Sequence, residues 1–89
     1  MNALMGGDVR IRRIDRVQGA WIGYQLKLRG ITQMDIGRRA GVTDVMVNRV
    51  IYGVRTSARV QKIVAETLGF VSWQELRAAC ERSKKGAAA

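Results

Sequence analysis

Four glycines, Gly30, Gly41, Gly53 and Gly69, each close a stretch in which apolar residues recur at spacings of three and four. That recurrence is the signature of the 3.6-residue helical turn, and glycine ends a helix by taking the left-handed backbone conformation without steric cost. The chain is thereby cut into short helices, and no alternating run of strand length appears between the cuts. Residues that start helices stand between the glycines. Asp15 with Gln18, Thr32 with Asp35 and Ser72 with Glu75 have the form of capping boxes, while Thr43 and Ser57 can each cap a helix alone. The expected fold is all-α, with helices from Asp15 to Leu28, over 33–40, from Thr43 to about Tyr52, from Ser57 to Gly69, and from Ser72 onward.

A chain of 89 residues fits one domain and buries only about 60% of its unfolded surface, so a large catalytic cleft is not expected. The domain is placed at 14–82. Residues 1–13, with Gly6, Gly7, Arg10, Arg12 and Arg13, read as a flexible basic arm, and 83–89 as a disordered tail.

Charge and absences narrow the function. Sixteen Lys and Arg against seven Asp and Glu give a net charge of +9, and every quarter of the chain carries some of the excess. A polyanionic partner follows, with nucleic acid as the commonest and an anionic membrane surface as the rival. The chain has no His and a single cysteine, Cys80, so neither a zinc site nor a Cys/His nucleophile pair can be assembled, and no internal disulfide is possible. The carboxylates show no paired acid and base at helical spacing, so no enzyme and no cofactor is expected. No apolar stretch approaches the roughly 18 residues of a membrane span, and the start lacks the regions of a secretory signal. A cytoplasmic setting is expected.

The second and third helices are joined by only Gly41, Val42 and Thr43. Two short helices about a glycine-containing turn outline a helix-turn-helix, which lays its second helix in the DNA major groove. At 100° per residue, Asp44, Val45, Asn48, Arg49 and Tyr52 share one face of the third helix, and Met46, Val47, Val50 and Ile51 share the other. An ordinary amphipathic surface helix would show the same pattern. The match of residues in register is more specific. Ile22-x3-Leu26-Lys27-x-Arg29-Gly30-Ile31-Thr32-Gln33-x2-Ile36-Gly37-x2-Ala40-Gly41-Val42-Thr43, then Val47-Asn48-Arg49-Val50-Ile51-x-Gly53 and Ser57-x-Arg59-Val60-x2-Ile63-x-Ala65-x2-Leu68-Gly69, resembles the lambda-repressor-like (Cro-type) helix-turn-helix family, nearest its Ner-like branch of small phage regulators. The resemblance covers Ile22 to Leu76. It implies a compact five-helix DNA-binding domain and a transcriptional regulator, of phage or prophage repressor type, that binds double-stranded DNA as a homodimer. No small-molecule ligand and no membrane partner are implied.

Carried over by position, the resemblance makes Gln33 a phosphate clamp at the start of the second helix and Thr43 a phosphate-facing cap of the third. Asp44, Val45, Asn48 and Arg49 become the base-facing set. Arg49 suits guanine O6 and N7, and Asn48 suits adenine or phosphate. Asp44 must accept from cytosine N4, pair with an arginine, or act by exclusion, while Val45 meets a thymine methyl or simply packs. Arg55, Thr56, Ser57 and Arg59 are expected on the phosphate backbone, with capping by Ser57 and solvated arginines as the plainer reading. Gly37 departs from the family, which usually has Ala there, at a cost on the order of 1 kcal/mol of helix propensity.

The first helix is apolar on two faces. Ile22 and Leu26 lie on one, and Val17, Trp21, Tyr24 and Leu28 on the other. If the former pack under the helix-turn-helix, the latter are covered either by the fifth helix through Trp73 and Leu76 or by a second subunit. Two other function classes stay open: a protein-interaction module of antitoxin or anti-activator kind, for which the Trp21 and Trp73 stripes speak, and a sequence-neutral nucleic-acid coating protein, for which the charge speaks.

Overall fold

A computed structural model describes residues 14–88, with side chains through Lys84. The arm expected over 1–13 lies outside the described residues. Five helices follow in order: α1 Arg16–Leu28, α2 Gln33–Ala40, α3 Asp44–Ile51, α4 Ala58–Thr67 and α5 Trp73–Ala88. No strand occurs among the described residues, and the domain is compact and all-α.

The starts and stops follow local chemistry. The side chains of Asp15, Thr32, Thr43 and Ser57 accept from the backbone N–H three residues on, at Gln18, Asp35, Met46 and Val60, and each satisfies a donor the helix leaves unpaired. Only Thr32 and Asp35 form a reciprocal box, in which Thr32 N–H donates to the Asp35 carboxylate at 2.9 Å. The box expected at Asp15 is not one, because Gln18 turns its amide to another helix. At Ser72 the Glu75 N–H donates to Oγ at 3.2 Å. All four stop glycines have positive φ, from 69° at Gly30 to 85° at Gly69. The chain's end departs from expectation, since α5 runs to Ala88 and 83–88 continue the helix rather than a disordered tail. The Lys84–Glu81 pair at 3.2 Å and an alanine-rich end favour that continuation.

One core joins the elements. Ile22 and Leu26 of α1, Ile36 and Ala40 of α2, Val47, Val50 and Ile51 of α3, Val60, Val64 and Ala65 of α4 with Leu68 after it, and Leu76 and Cys80 of α5 are buried. Full burial of a Val, Leu or Ile is worth roughly 1.5–3 kcal/mol, so this cluster is the main source of stability in so short a chain. α2 packs on α3 and α4, α4 on α5, and α1 on α3 and α5. Burial pushes the Cys80 thiol above its ordinary pKa, with the Asp15 charge adding to the effect, so it stays protonated.

The two-faced first helix is resolved by division. Trp21 is half-buried against the core with its ring centroid 6.3 Å from that of Phe70, in the loop before α5, and Trp73 is half-buried on the same core. Val17, Tyr24 and Leu28 stay exposed.

Candidate nucleic-acid interface

The candidate interface is centred on α3, whose inner and outer faces separate as its periodicity requires. Val47, Val50 and Ile51 are buried and Met46 is half-buried, while Asp44, Val45, Asn48 and Arg49 are all exposed. The structure therefore gathers the four expected base-facing residues on one open face. No ion pair or side-chain hydrogen bond engages Asn48 or Arg49 among the described residues, and Asp44 has no arginine partner there.

Both ends of α3 are tied. At the start, Thr43 Oγ1 accepts from Met46 N–H at 3.2 Å, which leaves its own O–H free to donate. At the end, the carbonyls that a helix leaves without partners each find one. Asn48 O accepts from Tyr52 N–H, Arg49 O from Val54 and Arg55 N–H, and Val50 O from Gly53 N–H. α1 completes the set: Gln18 Nε2 donates to Ile51 O at 2.9 Å and Asp15 N–H to Tyr52 O at 2.8 Å. Gln18 is 7% exposed, and this bond offsets the cost of its burial. Gly19 lets α1 come this close, since a Cβ there would run into the Tyr52 ring. These buried bonds hold the exposed face of α3 at a fixed angle to the domain.

The turn before α3 is equally tight. Gly37 is buried, its carbonyl accepts from Val42 N–H at 2.9 Å, and a Cβ on it would meet Val42 O at 2.6 Å, too close for backbone to tolerate. This corrects the reading of Gly37 as a simple loss of helix propensity. The close approach of α2 to the turn needs it.

The remaining expected residues divide into three groups. Gln33 opens α2 and lines a cavity of about 320 Å³ with Lys27, Thr32 and Gly30, and its amide is engaged by no described residue. Ser57 is the α4 cap, and Arg59 reaches back so that Nη1 donates to Ala40 O at 3.3 Å, closing the α2 C-terminus. Arg55 and Thr56 line a separate cavity of about 260 Å³ with Asp15, Gln18, Trp73 and Arg77. It is Val54, not Arg55, that shares a groove with Asn48 and Arg49. The loop thus sends Val54 to one side and Arg55 and Thr56 to the other.

That groove, of about 450 Å³, also takes in Ile14, Arg16, Ala20 and Tyr52. Arg16 is the residue that sequence reasoning missed, along with Lys27 beside Gln33. Arg16 lies outside the helix-turn-helix pattern, and only the docking of α1 on the end of α3 brings it to the groove that Arg49 lines, while Lys27 falls within the matched run without a role attached to it. Arg16, Arg49 and Arg55 have no side-chain hydrogen bond or ion pair among the described residues, whereas Arg38 pairs with Asp35 and Arg39 donates to Thr67. Arg16 and Arg49 therefore stand in the groove beside α3 without a neutralising partner among the described residues. No helix of the described chain is long and apolar enough to cross a membrane, and no group of His, Cys, Asp and Glu that could hold a metal ion occurs among the described residues. No protein-family model matches the chain, and neither a curated protein nor a solved structure does.

Proposed function

We propose that this chain is a sequence-specific double-stranded DNA-binding regulator of lambda-repressor-like helix-turn-helix type, a repressor that lays α3 in the major groove of its operator. The observation that carries the reading is the state of α3. A helix of only eight residues buries its apolar side and has both ends tied by hydrogen bonds, yet presents Asp44, Val45, Asn48 and Arg49 to solvent with nothing to do inside the fold. Base readout requires a rigidly held helix with a few open donors and acceptors. Arg49 would take guanine O6 and N7, Asn48 an adenine edge, Val45 a thymine methyl and Asp44 cytosine N4. Gln33, Thr43, Arg55 and Thr56 would hold phosphates, joined by Arg16 and Lys27, while Ser57 and Arg59 serve chiefly to seat α4 and the turn.

The test is selection by the purified protein from a random duplex library at about 0.15 M salt, where charge alone binds weakly. Enrichment of a motif is the expected result. A pool that stays random would overturn sequence-specific readout.

A further inference from the structure

We propose that the cavity between the start of α1, the end of α3 and α5 binds a small acidic amino acid, its ammonium group toward α1 and its two carboxylates on Arg55 and Arg77. The cavity has a volume of about 260 Å³ and is separate from the groove that Asn48 and Arg49 line. Pockets for drug-sized ligands run from roughly 300 to 1,000 Å³, so a nucleotide is too large for this one and a single amino acid is not.

Gln18 supplies the first pole. It is 7% exposed, and Ile51 O, which can only accept, takes its amino group at 2.9 Å. The amide therefore leaves its carbonyl oxygen, Oε1, without a donor among the described residues. A buried acceptor left in that state is costly, and a ligand N–H supplies what it lacks. Beside it, Asp15 uses Oδ1 to accept from Gln18 N–H at 2.9 Å and has its other oxygen unengaged by any described residue. Two acceptors at the start of α1 thus line the cavity together.

Arg55, in the loop after α3, and Arg77, on α5, form the opposite pole. Neither guanidinium has a partner among the described residues, and neither pairs with Asp15 although all three line one cavity. The charges stand apart, so a molecule that carries both signs can bridge them. Two guanidinium groups against one carboxylate leave a net +1, which one ammonium and two carboxylates cancel. Arginine takes a carboxylate with two parallel N–H bonds, and the half-buried Trp73 and Gln61, whose indole N–H and amide are engaged by no described residue, add donors on the same walls. A plain organic anion would leave Gln18 Oε1 and Asp15 unmet, and a plain amine would face two arginines.

Arg55 and Thr56 are also the side chains proposed for DNA phosphates, so ligand and DNA backbone draw on the same groups. Occupancy of the cavity does not depend on the DNA reading and is measured without DNA, so either can fail alone.

Calorimetric titration of the full chain with L-glutamate should give saturable binding with a dissociation constant of about 1 mM or tighter. In NMR spectra the Trp73 indole N–H resonance should move with occupancy, while that of Trp21, which packs on Phe70 outside the cavity, stays in place. Glutarate, which lacks the amino group, and 4-aminobutyrate, which lacks the α-carboxylate, should each bind about tenfold more weakly or worse. Arg77→Gln should weaken glutamate binding by the same factor without altering the melting temperature, since the side chain is exposed and unpaired among the described residues. Lys62→Gln, which removes a charge from the exposed side of α4, should leave glutamate binding unchanged. An absence of saturable binding overturns the proposal, as does a loss that is equal in the two variants, a Trp73 resonance that does not move, or glutarate binding as tightly as glutamate.

Discussion

Arg49 stands exposed near the end of α3, without a described partner, so its removal should cost binding and spare the fold. Arg49→Ala is expected to lower affinity for the selected duplex by about 1–3 kcal/mol and to change affinity for random duplex little. Titration of both duplexes reads the difference, and equal losses on the two would sink a base-reading role. Gly37 makes the opposite case, a residue whose value lies wholly in the fold. Replacing it with alanine gains up to about 1 kcal/mol of helix propensity but drives a methyl into the Val42 carbonyl, and overpacking of this kind costs about 1–3 kcal/mol. Gly37→Ala should therefore lower the melting temperature, and a rise would show that the turn yields freely. The exposed residues of α3 were legible from a helical wheel. Gly19, Gly37 and Gln18 were not, because what they do depends on backbone that arrives from another part of the chain.

Among the elements, α2 carries a cap that responds to pH. Thr32 N–H, then the Thr32 side chain and Arg38, hold the Asp35 carboxyl below its ordinary value. A carboxylate whose pKa is depressed by folding stabilises the folded state fully above the unfolded pKa, near 3.8, and that contribution is lost as pH falls through the lower folded value. Acid below that value should thus loosen the α2 start. Melting temperature followed from pH 7 to pH 2 should fall less steeply for Asp35→Asn than for the unaltered chain, and parallel curves would remove Asp35 from the acid response. Helix positions were readable because caps and stop glycines act within four residues. The end of α5 is the exception: composition suggests a boundary at 82, whereas the helix is described to Ala88, since a helix already propagating extends through residues of good propensity at little cost.

Across the whole molecule, charge and shape act together. Arg16, Arg49 and Arg55 are unpaired among the described residues on a chain of net charge +9, so binding to duplex DNA should release several counterions. The logarithm of the association constant is expected to fall against the logarithm of salt concentration with a slope of about −3 or steeper, from about −0.9 per phosphate. A slope near zero would contradict contact with the DNA backbone. Because the buried Gln18 bond to Ile51 O and the Asp15 N–H bond to Tyr52 O tie α1 to the end of α3, Arg16 and Arg49 are carried on elements fixed to each other.

Helix number, order and every limit but the end of α5, the separation of α3 into an apolar and a polar side, and the cationic excess are all written in the order of residues, since each depends on neighbours within about one turn or on simple counting. How α1 sits was not. Two apolar faces on one helix are equivalent to periodicity, and only packing against Phe70 and the core committed Trp21 inward while leaving Val17, Tyr24 and Leu28 outside. The same packing placed Arg16 in the groove that Arg49 lines and Arg55 in a separate cavity. Those arrangements join residues far apart in the chain, and their energies come from buried contacts that exist only once the helices have met.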